Sequence, residues 1–236
     1  MALSPKTLYD LLLVHFGPQH WWPVDTHFHN RHGSDPRFEI LVGAILTQNT
    51  GWVNVERALA NLKKKNMLTI QNIADIDVAS LKTLIQPSGF FNQKAQRLKE
   101  FVVYLQETYH GDLNRFFHRD LGEIRSELLS RRGIGPETAD SILLYAGNHP
   151  IFVVDAYTKR ITSRIPFPVT DDTYTGIQQF FEHELQKKFS PDDLVHIYQE
   201  LHALLVELAK QYCKKKKPVC SVCPVRSYCG SSSFVC

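Results

Sequence analysis

The chain has 236 residues, of which 43% are apolar and only five are cysteines, so it can bury a full-sized core without a disulfide framework. Its 27 basic and 24 acidic side chains leave a net charge of +3, which excludes a polycation. The first twenty residues lack the basic start and long apolar run of a secretory signal, and no stretch reaches the roughly 18 apolar residues of a membrane helix, so we expect a cytoplasmic protein.

Apolar residues recur at helical intervals along most of the chain. This periodicity predicts helices over residues 3–16, 37–49, 52–64, 92–109, 121–131, 137–147, 156–164, 172–188 and 191–212. The last of these is the clearest, with Ser190 as the expected N-cap and Pro191 in the first turn. Residues 151–154 are expected to be extended, but four apolar residues are too few for a sheet. The sequence therefore predicts an all-α protein, whose N-terminal helix could pack on the C-terminal ones.

The three tryptophans lie in two places, Trp21 and Trp22 in a Trp-Trp-Pro segment and Trp52 after Gln48-Asn49-Thr50. They could fill an interior or line a binding site, and the residues alone leave both interpretations open.

Three histidines, His27, His29 and His32, follow in a polar segment that is expected to be a flexible insertion. Three imidazoles can bind a metal ion, but nothing in the sequence fixes their geometry. We therefore expect no metal site there.

Residues 128–140 have the pattern of a helix, a tight turn and a second helix. Gly133 and Gly135 permit positive φ angles, and Ile134 between them can anchor the turn in the core. Such a turn presents backbone N–H groups that can bind a phosphate oxygen. The apolar residues 151–154 then lead to Asp155, which could simply cap the helix beginning at Ala156 or could be a functional carboxylate.

Near the C-terminus the spacing Cys213-x6-Cys220-x2-Cys223-x5-Cys229 places four thiols within 17 residues. In a reducing compartment such clusters bind metal, and both zinc and an iron–sulfur cluster accept four thiolates. Only one pair forms a short knuckle, which favours the iron–sulfur cluster. The fifth cysteine, Cys236, is expected to be a bystander. The loop also carries four lysines that could meet a phosphate backbone and release counterions, Lys214, Lys215, Lys216 and Lys217.

The segment Gly-Ile-Gly-Pro-Glu-Thr-Ala-Asp at 133–140, with Val-Val-Asp-Ala-Tyr-Thr-Lys-Arg at 153–160, resembles the helix-hairpin-helix-GPD superfamily of DNA glycosylases. The cysteine loop is similar to the [4Fe-4S] cluster loop of its endonuclease III branch, and the match spans about residues 20–229. The resemblance implies a two-lobed fold with a DNA cleft between its domains and assigns the catalytic role to Asp155. We expect a six-helix domain at 34–148 that contains the hairpin, and an N-/C-terminal cluster domain at 1–33 plus 149–236.

The subtype depends on position 137, where endonuclease III carries a lysine that forms a Schiff base. Glu137 cannot form an imine, so the sequence predicts hydrolysis without strand cleavage. The chain is similar to the 3-methyladenine DNA glycosylase III subgroup, which implies a base pocket formed by Trp21, Trp22, Pro23, Trp52, Glu137 and Lys210. At the end of its helix, Lys210 could equally complement the helix dipole.

Further DNA contacts are implied by the same resemblance. Gln48 matches a glutamine that inserts into the duplex, and Phe90 matches an apolar wedge, although Phe91 could equally take that role. Gly133, Ile134, Gly135 and the four loop lysines complete the expected DNA-binding set.

Together these features predict a monomeric base excision repair enzyme, without membrane contact, that binds double-stranded DNA containing a damaged base. We expect it to contain a [4Fe-4S] cluster and to hydrolyse the N-glycosidic bond of alkylated purines such as 3-methyladenine after base flipping. Two alternatives stay open: a glycosylase for oxidised pyrimidines or mismatched bases, and a non-catalytic iron–sulfur DNA-binding protein. The lesion range and any redox response of the cluster are not fixed by the sequence.

Overall fold

The computed structural model describes residues 3–230, and within that range the chain forms helices and no strand. Cys236, expected to be a bystander, lies outside the described residues. The α-helices are α1 (Pro5–Phe16), α2 (Thr26–His32), α3 (Arg37–Leu46), α4 (Trp52–Lys64), α5 (Ile70–Asp75), α6 (Val78–Ile85), α7 (Phe91–Tyr109), α8 (Leu113–Phe117), α9 (Leu121–Leu129), α10 (Pro136–Tyr145), α11 (Ala156–Thr162), α12 (Tyr174–Gln186) and α13 (Leu194–Gln211). Single 3₁₀ turns occur at Gln86–Ser88, Pro191–Asp193 and Arg226–Tyr228.

The chain divides into two compact units. The hairpin unit is residues 22–149, and the cysteine unit is formed by the residues up to Trp21 and from Pro150 onwards. The first boundary therefore falls twelve residues earlier than the predicted boundary at 33/34, so α2 belongs to the hairpin unit. That unit contains the nine helices α2 to α10, where a six-helix domain was expected.

The centre of the hairpin unit is α3, in which every residue from Phe38 to Leu46 is buried. It packs against α4, α7 and α10. Apart from Glu39 these residues are apolar or glycine, and a helix that is apolar on nearly all sides belongs in an interior. Leu41 and Leu46 have no exposed surface, and truncating either to alanine would cost about 2–5 kcal/mol.

In the cysteine unit, α1 packs against α12 and α13. The ring of Tyr9 meets that of Phe189 edge-on at 5.8 Å, and His15 Nε2 lies 3.0 Å from the hydroxyl of Tyr212. The prediction that the N-terminal helix packs on the C-terminal helices is therefore confirmed.

The apolar residues 151–154 form the extended bridge that the pattern predicted. They are buried without a neighbouring strand, so their backbone groups need other partners. Side chains of α12 supply them: Glu182 accepts from the N–H of Phe152 at 2.8 Å, and the Gln178 amide donates to its carbonyl at 2.6 Å. These contacts fix the segment that ends at Asp155.

The start of α13 differs from the prediction. Ser190 does not cap the helix, because its hydroxyl bonds the carboxylate of Asp193 at 2.7 Å and a 3₁₀ turn intervenes. The α-helix begins only at Leu194. No helix within residues 3–230 combines the length and the apolar character that crossing a bilayer requires.

Candidate functional site

Asp155 is the N-cap of α11, at the point where the extended bridge becomes a helix. Its oxygen Oδ1 accepts hydrogen bonds from the backbone N–H of Thr158 at 2.7 Å and from the hydroxyl of the same residue at 2.9 Å. The residue is only 8% exposed. The carboxylate therefore caps the helix and is also buried. Capping α11 and serving as a functional carboxylate, the two roles that the sequence left open, are compatible.

The second oxygen of Asp155 faces a histidine that sequence reasoning missed. His202 Nε2, on α13, lies 3.7 Å from Oδ2. Burial raises the pKa of Asp155, but the nearby imidazole of His202, together with the hydrogen bonds from Thr158, outweighs burial and holds the pKa below its ordinary value. The charged form of the carboxylate is therefore favoured in spite of its burial.

The hairpin consists of α9, the turn 130–135 and α10. Gly133 has φ +78°, the left-handed region that favours glycine, whereas Gly135 has φ −94°, which any residue can adopt. Ile134 is buried, as the pattern predicted. Arg125 of α9 binds the buried Asp140 of α10 through two bonds of 2.7 and 3.1 Å, which fixes the angle of the hairpin.

Gln48 is tied to this hairpin by its side-chain amide. Nε2 donates to the carbonyl of Gly133 at 2.8 Å and to the hydroxyl of Thr138 at 3.0 Å, and Oε1 accepts from Arg97 at 2.9 Å. Insertion of Gln48 into a duplex would require exchanging these three bonds. Its neighbour Asn49 is exposed and has a positive φ.

Phe90 is 64% exposed and has φ +46°, while Phe91 begins α7 and is half-buried. The exposed ring is the one that could enter a base stack, which supports Phe90 over Phe91 as the wedge. Behind it, the fully buried ammonium of Lys94 donates to the carbonyls of Ser88 at 2.7 Å and Leu46 at 2.8 Å. Burial, with the nearby Arg97 charge, lowers the pKa of Lys94 to about 8. One cation thus joins the segments that carry Gln48 and Phe90.

The predicted base-pocket residues are divided between the units. In the hairpin unit the ring of Trp22 meets Trp52 edge-on at 5.2 Å and Tyr145 at 5.5 Å, and a Cβ at Gly43 would lie 2.8 Å from it. Trp22 is thus half-buried against these two rings. Trp21 belongs to the cysteine unit.

Trp52 and Pro23 line one cavity of the hairpin unit, of about 270 Å³. Three carboxylates and one ammonium, Asp25, Glu39, Glu56 and Lys63, line the same cavity. An electron-rich ring beside an excess of negative charge is a setting that favours a cationic ligand.

Glu137 and Lys210 are the remaining predicted pocket residues. Glu137 lies exposed in the first turn of α10, in the hairpin unit. Lys210, near the end of α13 in the cysteine unit, pairs with Glu207 at 3.0 Å. Its place in the last turn of α13 also suits the dipole role that the sequence left open for Lys210.

Four cysteines of the cysteine unit line a single cavity, together with Arg164 and Tyr212: Cys213, Cys220, Cys223 and Cys229. The guanidinium of Arg164 donates to Cys213 Sγ at 3.2 Å. Burial, and then the sulfurs of Cys213 and Cys229, raise the pKa of Cys223. Three mutually repelling sulfurs at one cavity fit a cationic metal centre.

Within residues 3–230 no group of three or more His, Cys, Asp or Glu side chains is arranged to hold a single metal ion. A [4Fe-4S] cluster takes one thiolate on each of four separate irons, so its ligands need not converge on one point. The shared cavity and the donor set therefore fit the cluster.

The helix α11, which Asp155 caps, and the residues directly after it hold the cysteine loop. Arg160, in its last turn, donates to the carbonyl of Cys213 at 2.7 Å, and Arg164 donates to that of Lys214 at 3.0 Å. The four loop lysines are exposed, as contact with a phosphate backbone requires.

The histidine segment forms α2 rather than a flexible insertion. His29 is buried, with Nε2 3.1 Å from Glu39 and Nδ1 2.8 Å from Ser34. Both nitrogens are thus committed to hydrogen bonds in the core of the hairpin unit.

Residues 42–187 match the protein family described as HhH-GPD superfamily base excision DNA repair protein. A Methanocaldococcus jannaschii protein with the provisional name DNA repair glycosylase is 45% identical over 226 residues, which are 95% of this chain and 94% of the relative. Endonuclease III of Sulfolobus acidocaldarius is 29% identical, covering 81% of each chain.

Among solved structures, an H. pylori 3-methyladenine DNA glycosylase bound to 1,N6-ethenoadenine is 31% identical, with a TM-score of 0.72, and covers 88% of this chain and 95% of its own. A non-covalent endonuclease III–DNA complex superimposes with a TM-score of 0.76 at 20% identity, covering 98% of this chain and 97% of its own, a likeness of fold.

Proposed function

Since the chain belongs to the HhH-GPD superfamily of base excision DNA repair proteins, we propose that it is a monofunctional DNA glycosylase that releases alkylated purines from double-stranded DNA. The observation that carries the proposal is the buried Asp155 carboxylate, held in its charged form by His202 and Thr158.

In the proposed reaction the damaged nucleotide is extruded from the duplex. The electron pair of the N-glycosidic bond leaves with the base, and positive charge develops at C1′ of the sugar. The Asp155 carboxylate stabilises this charge, a role in which one preorganised group is worth about 3–4 kcal/mol. A water molecule then bonds to C1′ and gives its proton to the carboxylate, which leaves an abasic site.

Selection of alkylated purines is supported by the cavity beside Trp52. Alkylation at N3 or N7 gives a purine a delocalised positive charge, which favours an aromatic face by about 0.5–2 kcal/mol over a neutral base. The carboxylates of Asp25, Glu39 and Glu56 in the same lining add to that preference. The H. pylori relative, bound to a modified adenine, is consistent with this substrate class.

The proposal excludes a Schiff-base lyase step, because position 137 holds a carboxylate where endonuclease III has a lysine. A carboxylate cannot form an imine with the sugar. Glycosidic hydrolysis is then the whole reaction.

A [4Fe-4S] cluster would be held by Cys213, Cys220, Cys223 and Cys229. When bound, four thiolate ligands leave it no open coordination site for substrate, so it ties the loop together rather than taking part in the chemistry. In the proposal the loop holds its exposed lysines against phosphates. Arg160 of α11 bonds the loop at Cys213, and Asp155 caps the same helix.

A glycosylase for oxidised pyrimidines is the second candidate, favoured by the endonuclease III relative. Mass spectrometry of the bases released from methylated and from oxidised duplexes separates the two. We expect 3-methyladenine from the first and no pyrimidine from the second; release of oxidised pyrimidines alone would reverse the assignment.

A further inference from the structure

Lys94, in the first turn of α7, is a buried cation that the proposed reaction does not use. Its side chain is fully buried, and a lysine is almost never fully buried unless its charge has a partner. A cation at this end of a helix is also disfavoured by the dipole of its own helix. The residue therefore breaks two local rules, and such positions are expected where a function requires them.

The partners of the Lys94 ammonium are two backbone carbonyls that lie in different segments of the hairpin unit. Nζ donates to the carbonyl of Leu46, the last residue of α3, at 2.8 Å and to that of Ser88 at 2.7 Å. The last carbonyls of a helix have no partner within it and carry partial negative charge. The cation therefore satisfies the end of α3 and ties it to the 3₁₀ turn that precedes α7.

Each of these carbonyls lies two residues before a side chain that we expect in the duplex, Gln48 in one segment and Phe90 in the other. The two segments are also adjacent in space, since a Cβ added at Gly89 would lie 3.9 Å from Thr50 Oγ1. One turn further along α7, Arg97 donates to Oε1 of Gln48 at 2.9 Å. The start of α7 therefore holds both segments, and the buried ammonium is the bond that joins their backbones.

We propose that Lys94 is a positioning residue for base extrusion, which holds the segments of Gln48 and Phe90 at a fixed separation so that both enter the duplex together. This role rests on the proposed function. Groups that fill the space of an extruded base must stand in place when the base moves, and a misplacement of about 1 Å can cost on the order of 10²-fold in rate. Because the ammonium is buried, it acts through the two segments and not by touching DNA.

Lys94→Met is the test variant, and Lys99→Met on the same helix is its matched control. Lys99 also donates to two backbone carbonyls, those of Ala74 at 2.5 Å and Ile76 at 2.6 Å, which lie at the end of α5 and not in the segments of Gln48 and Phe90. Each variant removes one ammonium and leaves two carbonyls without that donor. Both should therefore lower the melting temperature, whereas only Lys94→Met should impair extrusion.

Extrusion is measured by the fluorescence of 2-aminopurine placed next to 7-methylguanine, which rises when its neighbour leaves the stack. On a fully paired duplex we expect the rise to be roughly 10- to 100-fold slower for Lys94→Met than for Lys99→Met. With 7-methylguanine opposite an abasic position, extrusion costs less and the two variants should agree. Equal rates on the paired duplex, or an equal deficit of Lys94→Met on both duplexes, would overturn the positioning role.

A double-mutant cycle with Phe90→Ala shows whether Lys94 acts through the inserting segment. Once the ring is gone its placement has no value, so adding Lys94→Met should slow extrusion less than it does in the wild-type chain. Additive effects would indicate a general loss of stability and would overturn the role. If the methionine variant does not fold, Lys94→Gln, whose amide can keep one of the two bonds, takes its place in both experiments.

The same fluorescence separates this inference from the glycosylase activity. A rise with the wild-type protein but no release of 7-methylguanine would contradict the activity alone, and the comparison of the two lysine variants would still decide the role of Lys94. A wild-type protein that gives no rise on either duplex would overturn the role.

Discussion

Both hydrogen-bond donors of Thr158, its backbone N–H and its hydroxyl, meet the same oxygen of Asp155, at 2.7 and 2.9 Å. The helix cap is thereby satisfied by Oδ1 alone. Oδ2, which faces His202, takes no part in the cap and is the oxygen to which the proposed reaction assigns the catalytic role. One side chain can therefore cap α11 and supply negative charge without a conflict between the two.

Asp155→Asn should abolish base release while leaving DNA binding intact. Asparagine caps helices as well as aspartate does, so the bonds from Thr158 persist, but the negative charge is lost. From the magnitude of one preorganised group we expect a fall of at least 10²-fold in the single-turnover rate. The control Asp77→Asn changes another capping aspartate, at the start of α6, and should leave the rate unchanged. Unchanged release by Asp155→Asn would remove the residue from the mechanism.

His202→Gln should move the acid limb of the pH–rate profile to higher pH. Burial raises the pKa of Asp155 and His202 is the strongest influence that lowers it, so without the imidazole the balance shifts upwards from a value now below 3.8. Because the folded pKa is depressed, the carboxylate also contributes stability above the ordinary pKa, which is lost as pH falls through the folded value.

The profile of kcat against pH is the measurement, with His196→Gln as control because that exposed histidine lies on the same helix. The wild-type protein should show no fall in rate from Asp155 between pH 5 and 7. An acid limb that stays in place in His202→Gln would show that the histidine has no effect on the carboxylate.

Borohydride should trap no covalent adduct between the wild-type protein and DNA containing a substrate base. A carboxylate at position 137 cannot supply the imine nitrogen, and the buried Lys94 is engaged with two carbonyls. Denaturing electrophoresis after reduction is the measurement, with an endonuclease III run in parallel as the positive control. An adduct of the wild-type chain would mean that another lysine serves as the nucleophile.

The sequence predicted the long helices and the superfamily, and the family match over residues 42–187 confirms the latter. It missed α2, α5, α6 and α8, which have five to eight residues each and are too short to show a helical period. Their caps were visible: each follows an Asp or Thr whose side chain accepts a backbone N–H of the first turn, Asp25, Thr69, Asp77 and Asp112.

A residue of the candidate site could be predicted only where its immediate neighbours in the sequence mark it. Asp155 stands at the end of an apolar run, and its position could be inferred. His202 lies in a helix whose apolar spacing indicates only a face towards the core. Nothing in the sequence shows that it faces Asp155, 47 residues earlier. Gln48 contacts residues 85 and 90 positions away, and only the folded chain brings them together.

Trp52→Ala should reduce release of cationic bases more than release of neutral ones. A charged purine loses the attraction of the ring, about 0.5–2 kcal/mol, whereas both kinds of base lose the same stacking area. Excision rates of 7-methylguanine and of a neutral modified purine in matched duplexes give the ratio to be compared. Trp52→Phe keeps an aromatic face and should retain part of the preference, while an equal loss for both bases would indicate unfolding.

Cys223→Ser should lower the iron and sulfide content of the purified protein and its melting temperature, while Cys236→Ser should change neither. The serine at 223 replaces a thiolate in the cavity that Cys213, Cys220 and Cys229 also line, and an uncharged hydroxyl is a poor ligand for iron. Loss of the centre frees the loop that Arg160 and Arg164 hold, so affinity for intact DNA should fall as the loop lysines lose their fixed position. Zinc in place of iron in the wild-type protein would contradict the cluster, and equal loss in both variants would contradict the choice of ligands.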